Sequence, residues 1–214
     1  MAEYKNQKIY YLILNKLNKL NKYIKYINIF IVNMGSLELI YGCMFSGKTS
    51  KLIDIYNLKK DKHKCLVINY IFDKRYTNDD KIVSHDKESI NCVCIQELEE
   101  LTNSDKLYKA EYIFINEAQF FKDLKNWVLY VKIILGKNVI LCGLDLDFKR
   151  ERFGELMDLI EYASNVYHMK GKCDKCENES LFTHRLVDND NQVLIGSSEY
   201  IPVCKECWDK LNNI

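Results

Sequence analysis

Gly42-Cys43-Met44-Phe45-Ser46-Gly47-Lys48-Thr49 is the stretch on which the reading of this chain turns. It fits GxxxxGK[ST] at every required position, and the chemistry explains the pattern. The glycines let backbone N–H groups close around phosphate oxygens, and the helix that follows presents its positive end to them. Lys48 is expected to reach the β- and γ-phosphates of a nucleotide, and the Thr49 hydroxyl to face Mg²⁺. Such a loop needs a strand before it and a helix after it. Leu37–Tyr41 reads as that strand, Gly42–Gly47 as the loop and Lys48–Lys60 as that helix.

Outward from the loop the alternation continues. Cys65–Asn69, Asn91–Ile95, Tyr112–Ile115 and Val139–Gly143 are apolar runs of strand length. Leu124–Leu135 and Phe153–Ala163 carry helical periodicity. Buried strands alternating with helices predict an α/β fold, a P-loop (RecA-like) parallel sheet with helices on both faces. The second half of a P-loop site is a buried strand ending in acid, and Ile113-Phe114-Ile115-Asn116-Glu117 supplies it. Asn116 stands at the metal-side position, where its carbonyl can accept a hydrogen bond from metal-bound water but brings no charge. Asp73 and Asp145 are the carboxylates that can make up that charge. Glu117, one residue on, faces the other side of the strand end and is the candidate general base.

The 214 residues suit one domain with a small appendage; 48% are hydrophobic and 29% charged, enough for a real core. A net charge of +1 gives no global basic field for nucleic acid. Residues 1–33 differ from the rest: six Lys face one Glu, and Tyr10, Ile13, Leu17, Leu20, Ile24, Ile27 and Ile31 form a helical stripe. A coiled-coil seam, a basic membrane-surface helix and an appended start before Met34 are its three readings. Lys and Asn interrupt the early apolar stretch, so neither a secretory signal nor a membrane span is expected. The expected setting is reducing and cytoplasmic.

Nine cysteines fit a disulfide framework poorly because the count is odd. Cys43, Cys65, Cys92, Cys94 and Cys142 lie in or beside apolar runs and read as small hydrophobes. The other four form Cys173-x-x-Cys176 and Cys204-x-x-Cys207, with 27 residues between the pairs. Two such knuckles suit tetrahedral Zn²⁺, and a closed four-thiolate site has a structural role. The expected organisation is an extension over 1–33, a P-loop domain over 34–169, and a small zinc-ribbon-like lobe over 170–214. None of His63, His85, His168 and His184 has a partner pattern that marks it as catalytic.

Beyond the loop the motifs become specific. Asn116-Glu117-Ala118-Gln119-Phe120-Phe121 resembles the DEAQFF motif of the type II thymidine kinases. Gly42–Thr49 is similar to that family's GPMFSGKS/T loop, with Cys43 in place of Pro. Asp73-Lys74-Arg75-Tyr76, Ser84-His85-Asp86, Leu144-Asp145-Leu146-Asp147-Phe148 with Phe153-Gly154, and Thr183-His184-Arg185-Leu186 resemble further family segments in the family's order. The family's V-x-[VI]-G-G stands here as Val193-Leu194-Ile195-Gly196-Ser197. The resemblance covers residues 34–208 and implies ATP-dependent, Mg²⁺-assisted phosphorylation of thymidine, with deoxyuridine as a second substrate.

Site residues follow by match. The resemblance implies Glu117 as the base, Gly42, Cys43, Met44, Phe45, Ser46, Gly47, Lys48 and Thr49 around the phosphates, and Arg75 as a clamp on them. Thr49 and Asn116 fall to the Mg²⁺ side. Met44, Phe120, Leu144, Phe148, Thr183 and Tyr200 would form the slot for the base, and Cys173, Cys176, Cys204 and Cys207 would hold structural Zn²⁺. It also implies a homo-oligomer, by family analogy a tetramer, and product feedback. Two other classes compete. A nucleic-acid-stimulated ATPase with a zinc ribbon would want basic residues near the ribbon, whereas residues 34–214 carry about −4 once the +5 of residues 1–33 is set aside. A catalytically silent homologue is motivated by Asn116 alone.

Overall fold

The computed structural model describes Lys19, Lys22 and residues 34–73, 80–84 and 88–213. The reading of residues 1–33, and those of Arg75 and His85, lie outside the described residues. By contact density Met1–Met34 is one unit and Gly35–Ile214 another, and all that follows concerns the second.

Its centre is a six-stranded sheet built from β1 (Leu37–Tyr41), β2 (Cys65–Tyr70), β5 (Val93–Ile95), β6 (Tyr112–Ile115), β7 (Asn138–Gly143) and β8 (Asn165–His168). Their order across the sheet is β5-β2-β6-β7-β1-β8, and every pairing is parallel. The strands read as continuous apolar runs because both faces are covered. Leu37, Leu39, Ile113, Ile115, Val139 and Leu141 point to one face. Ile40, Phe114, Ile140 and Cys142, one residue out of phase with them, point to the other. Helix α1 (Lys48–Lys59) covers the second face with Leu52, Ile53 and Ile55. On the first face lie α2 (Asp105–Lys109) through Leu107 and α3 (Leu124–Leu129) through Leu124, Trp127 and Val128. The α/β parallel sheet with helices on both faces is therefore the observed architecture.

Three local expectations are corrected. The run Asn91–Ile95 is two strands: β3 (Lys81–Val83) and β4 (Ser89–Asn91) form an antiparallel hairpin, and β5 joins the main sheet after Cys92. Ile82 and Ile90 of the hairpin pack under α1, which pulls that strand off the sheet edge. The helix expected over Phe153–Ala163 is a 3-10 segment, Leu156–Tyr162, which buries Leu156 and Leu159. The helix over Leu124–Leu135 is α-helical to Leu129 and widens to a π turn over Tyr130–Ile134.

Past the sheet come two small hairpins and a helix: β9 (Gly171–Lys172) with β10 (Glu179–Ser180), β11 (Phe182–Arg185) with β12 (Tyr200–Val203), and α4 (Lys205–Leu211). Cys173, Val203, Cys204 and Trp208 form their compact centre. Among the described residues no helix is long and apolar enough to cross a membrane.

Candidate active site

The carboxyl ends of β1, β2, β6 and β7 converge, and each hands over to a residue named from the sequence. This is where ligands bind in open parallel sheets. After β1, Gly42 (φ 147°) and Gly47 (φ 80°) shape the phosphate loop. A Cβ on Gly42 would stand 2.1 Å from the Met169 carbonyl oxygen, so only glycine fits there. The Lys48 ammonium is buried and donates to the Cys43 carbonyl at 2.6 Å, and Ser46 Oγ donates to the same carbonyl at 2.8 Å. The C-terminal lobe braces the loop from outside. Thr183 Oγ1 accepts from the Met44 N–H at 3.0 Å, and Cys43 Sγ lies 3.4 Å from Ser180 Oγ.

After β6, Asn116 and Glu117 part company as the alternation of a strand end requires. Asn116 is 2% exposed; its amide donates to Asn69 Oδ1 at 2.9 Å, a residue of β2 that is equally buried. Its own Oδ1 accepts from Thr49 Oγ1 at 3.4 Å and from the Cys142 thiol at 3.1 Å. The amide donor thus points toward β2, and the carbonyl oxygen lies beside the Thr49 hydroxyl. Two neutral oxygens of this kind fit a hard cation that keeps waters and phosphate ligands. Asp73 lines the same cavity as Thr49 and Asn116 and supplies a carboxylate there, whereas Asp145 does not line it.

Glu117 has φ 52°, a left-handed conformation that costs a non-glycine residue about 1 kcal/mol or more. Gln119 holds it: Nε2 donates to Glu117 Oε2 at 2.7 Å, and Oε1 accepts from the Leu144 N–H at 3.0 Å. Gly143 and Gly154 make room for this bridge. A Cβ on Gly143 would meet Gln119 Oε1 at 2.5 Å, and one on Gly154 would meet the Gln119 carbonyl oxygen at 2.3 Å.

Two cavities meet at this carboxylate. One has an empty volume of about 620 Å³ and is lined by Phe45, Ser46, Gly47, Lys48, Thr49 and Asn116. The other, of about 480 Å³, brings together Met44, Phe120, Leu144, Phe148, Thr183 and Tyr200, all six residues matched to the base slot. Met44, Asp73, Glu117 and Leu144 belong to both linings, so Glu117 stands at the passage between a phosphate-type and an apolar compartment. Phe153 and Leu194 complete the apolar cluster. Sequence reasoning passed over Gln119, Phe153, Arg185 and Gln192. The motif matches themselves contained Gln119, Phe153 and Arg185, which was the available signal; Gln192 carried none.

In the small lobe the Sγ atoms of Cys173, Cys176, Cys204 and Cys207 all lie within 4.8 Å of one another. Thiolates around tetrahedral Zn²⁺ at 2.3 Å stand about 3.8 Å apart, so the set fits that ion. Burial pushes the Cys173 thiol up, but backbone N–H groups of Cys204, Lys175 and Cys176 outweigh it and hold the thiol down at about 6. No disulfide joins any of the nine cysteines.

A glycine-cradled loop, a buried lysine and a strand-end carboxylate facing an apolar slot define a P-loop phosphotransferase with a small-molecule acceptor site. Comparison with known proteins narrows the class. Residues 35–208 match the family model described as thymidine kinase. The chain is 38% identical to a thymidine kinase of Bacteroides thetaiotaomicron, over 81% of this chain and 87% of that protein. It is 36% identical to thymidine kinase 1 of Dictyostelium discoideum, over 84% and 80% of the two. With a thymidine kinase of Choristoneura fumiferana entomopoxvirus the identity is 33%, over 84% and 99%. The chain belongs to the thymidine kinase family.

Proposed function

We propose that the chain transfers the γ-phosphate of ATP to the 5′-hydroxyl of thymidine, and of deoxyuridine, in the supply of DNA precursors. The observation that carries this reading is Glu117 at the junction of the two cavities. An acceptor hydroxyl entering from the apolar side meets the carboxylate there, and a triphosphate on the loop lies on the other side. Glu117 takes the hydroxyl proton as the oxygen attacks phosphorus, and Gln119 keeps the carboxylate aimed. Lys48 and the loop N–H groups hold the transferring phosphoryl oxygens, and Arg75 is assigned to the same task. Met44, Phe120, Leu144, Phe148, Thr183 and Tyr200 enclose the flat pyrimidine.

Thr49 and Asn116 would hold Mg²⁺ together with the nucleotide, with Asp73 the nearest source of charge. When bound, the ion neutralises charge developing on the phosphate oxygens. The four lobe cysteines would hold Zn²⁺ as a structural ion, which fastens the segment covering the pocket. On this reading residues 34–169 carry the phosphate chemistry and 170–214 the cover. A tetrameric assembly in the cytoplasm belongs to the same reading, and sedimentation of the purified full chain tests it.

Consumption of ATP by the zinc-loaded chain tests the function. Turnover that requires thymidine and ignores DNA or RNA is the expected result. Stimulation by nucleic acid instead would replace the kinase with a motor, and no turnover with either would leave a silent homologue.

A further inference from the structure

The segment between β11 and β12, residues 186–199, contains no strand or helix, yet Gln192, Val193, Leu194 and Ile195 wall the apolar cavity. Among the described residues its one backbone–backbone hydrogen bond is at its base, where the Leu186 N–H donates to the Glu199 carbonyl at 2.8 Å. Several of its carbonyls, partly shielded from solvent, are met instead by one side-chain donor. That donor is Arg185, the last residue of β11, buried at 6% exposure. Its Nη1 donates to the carbonyls of Asn189 and Asn191, both at 2.6 Å, and its Nη2 to the Gln192 carbonyl at 3.2 Å. Nη2 also donates to Tyr200 Oη at 2.6 Å, and that hydroxyl passes the bond on to the Leu194 carbonyl at 2.8 Å. The guanidinium carbon lies 3.6 Å from the centre of the Phe148 ring. A second tie fastens the same loop from outside: Gln192 Nε2 donates to Asp147 Oδ2 at 2.8 Å.

We propose that Arg185 is a positioning residue for the nucleoside, holding residues 189–194 as one wall of the pocket while Phe148 and Tyr200 are set against its guanidinium. The proposal rests on the nucleoside reading of that pocket. A planar fork with donors on two nitrogens reaches four acceptors at once, and an ammonium on a flexible stem does not. Among the described residues the buried Arg185 Nε meets no partner, so the fork acts through Nη1 and Nη2 alone. The arrangement makes sense when the fork's geometry, rather than its charge, is what the site requires. Each donor lost frees a carbonyl of the wall, so the cost falls on the acceptor nucleoside and not on ATP, whose loop is braced separately by Thr183 and Ser180.

The experiment compares the wild-type chain with Arg185→Lys and Arg185→Ala, all zinc-loaded. In Arg185→Lys the thymidine KM should rise roughly ten-fold or more, as expected when charge-assisted hydrogen bonds to the wall are lost. The ATP KM should hold, and amide exchange over 189–195 should accelerate. Guanidinium ion added to Arg185→Ala should restore thymidine binding, and methylammonium should not. An unchanged thymidine KM with unchanged exchange overturns the proposal, as does a proportional loss toward both substrates. Should Arg185→Ala fail to fold, Arg185→Lys decides alone. A wild type that ignores thymidine sinks the nucleoside reading, while exchange over 189–195 in Arg185→Lys still judges the clamp.

Discussion

Replacing Gln119 by Met removes both ends of one bridge while keeping an unbranched chain of similar length in a site that is 3% exposed. At one end a 2.7 Å hydrogen bond to a carboxylate is lost, a contribution of about 1.5–3 kcal/mol. At the other, the Leu144 N–H is left buried without its acceptor, which costs about 1–3 kcal/mol. Allowing for partial relaxation, the variant should lose about 3 kcal/mol, or roughly 6–12 °C in Tm for a chain of this size. The catalytic effect is separate. Glu117 keeps its strained backbone but loses the amide that aims it, and a misplaced base costs roughly ten- to a hundred-fold in kcat. Steady-state kinetics with thymidine and a thermal melt check the two numbers. Gln119→Glu sharpens the test. It keeps an acceptor for Leu144 and so recovers part of the stability, yet it sets a second carboxylate against Glu117 and kcat stays low. A Gln119→Met variant that melts early but turns over at the wild-type rate would refute the claim that the bridge aims the base. A variant with unchanged Tm would refute the bridge itself.

Three further outcomes follow from the site. Asn116→Asp places two acceptors face to face across the Asn69 contact, so without metal the protein should lose about 1–3 kcal/mol in a melt, while the Mg²⁺ concentration for half-maximal activity falls. Gly42→Ala must displace the Met169 backbone and should weaken ATP binding strongly, whereas Gly47→Ala meets nothing nearer than 4.0 Å and should cost about 1 kcal/mol, checked by ATP titration of both. Removing zinc with a chelator should unfold the small lobe first, read as a change in emission from Trp208, which packs on that lobe's cysteines and donates to the Phe148 carbonyl at 3.3 Å.

Much of this was legible in the chain. The phosphate loop, the strands β1, β2, β6 and β7 and the two cysteine knuckles follow from local patterns, because each is decided by residues close together in sequence. The β3–β4 hairpin was not, since nothing local marks Cys92 as a break between Asn91 and Val93, and the separation shows only in the packing of Ile82 and Ile90 under α1. The same holds for Leu156–Tyr162, whose helical periodicity is compatible with either a wide or a tight turn. Gln119 and Arg185 were hidden for another reason. Gln119 works because Gly143 and Gly154, 24 and 35 residues away, leave space for it. Arg185 works on backbone carbonyls, which carry no signature in the side chains of the residues that own them.

The most direct test of the central claim is transfer of labelled phosphate from ATP to thymidine by the zinc-loaded chain and by Glu117→Gln, across a Mg²⁺ titration. The account predicts transfer by the wild type and a loss of about a hundred-fold or more in kcat for the variant, with ATP binding retained. Equal rates in the two proteins would contradict the assignment of Glu117 as the base. Absence of transfer by folded, zinc-loaded wild type at every Mg²⁺ concentration would contradict the kinase itself.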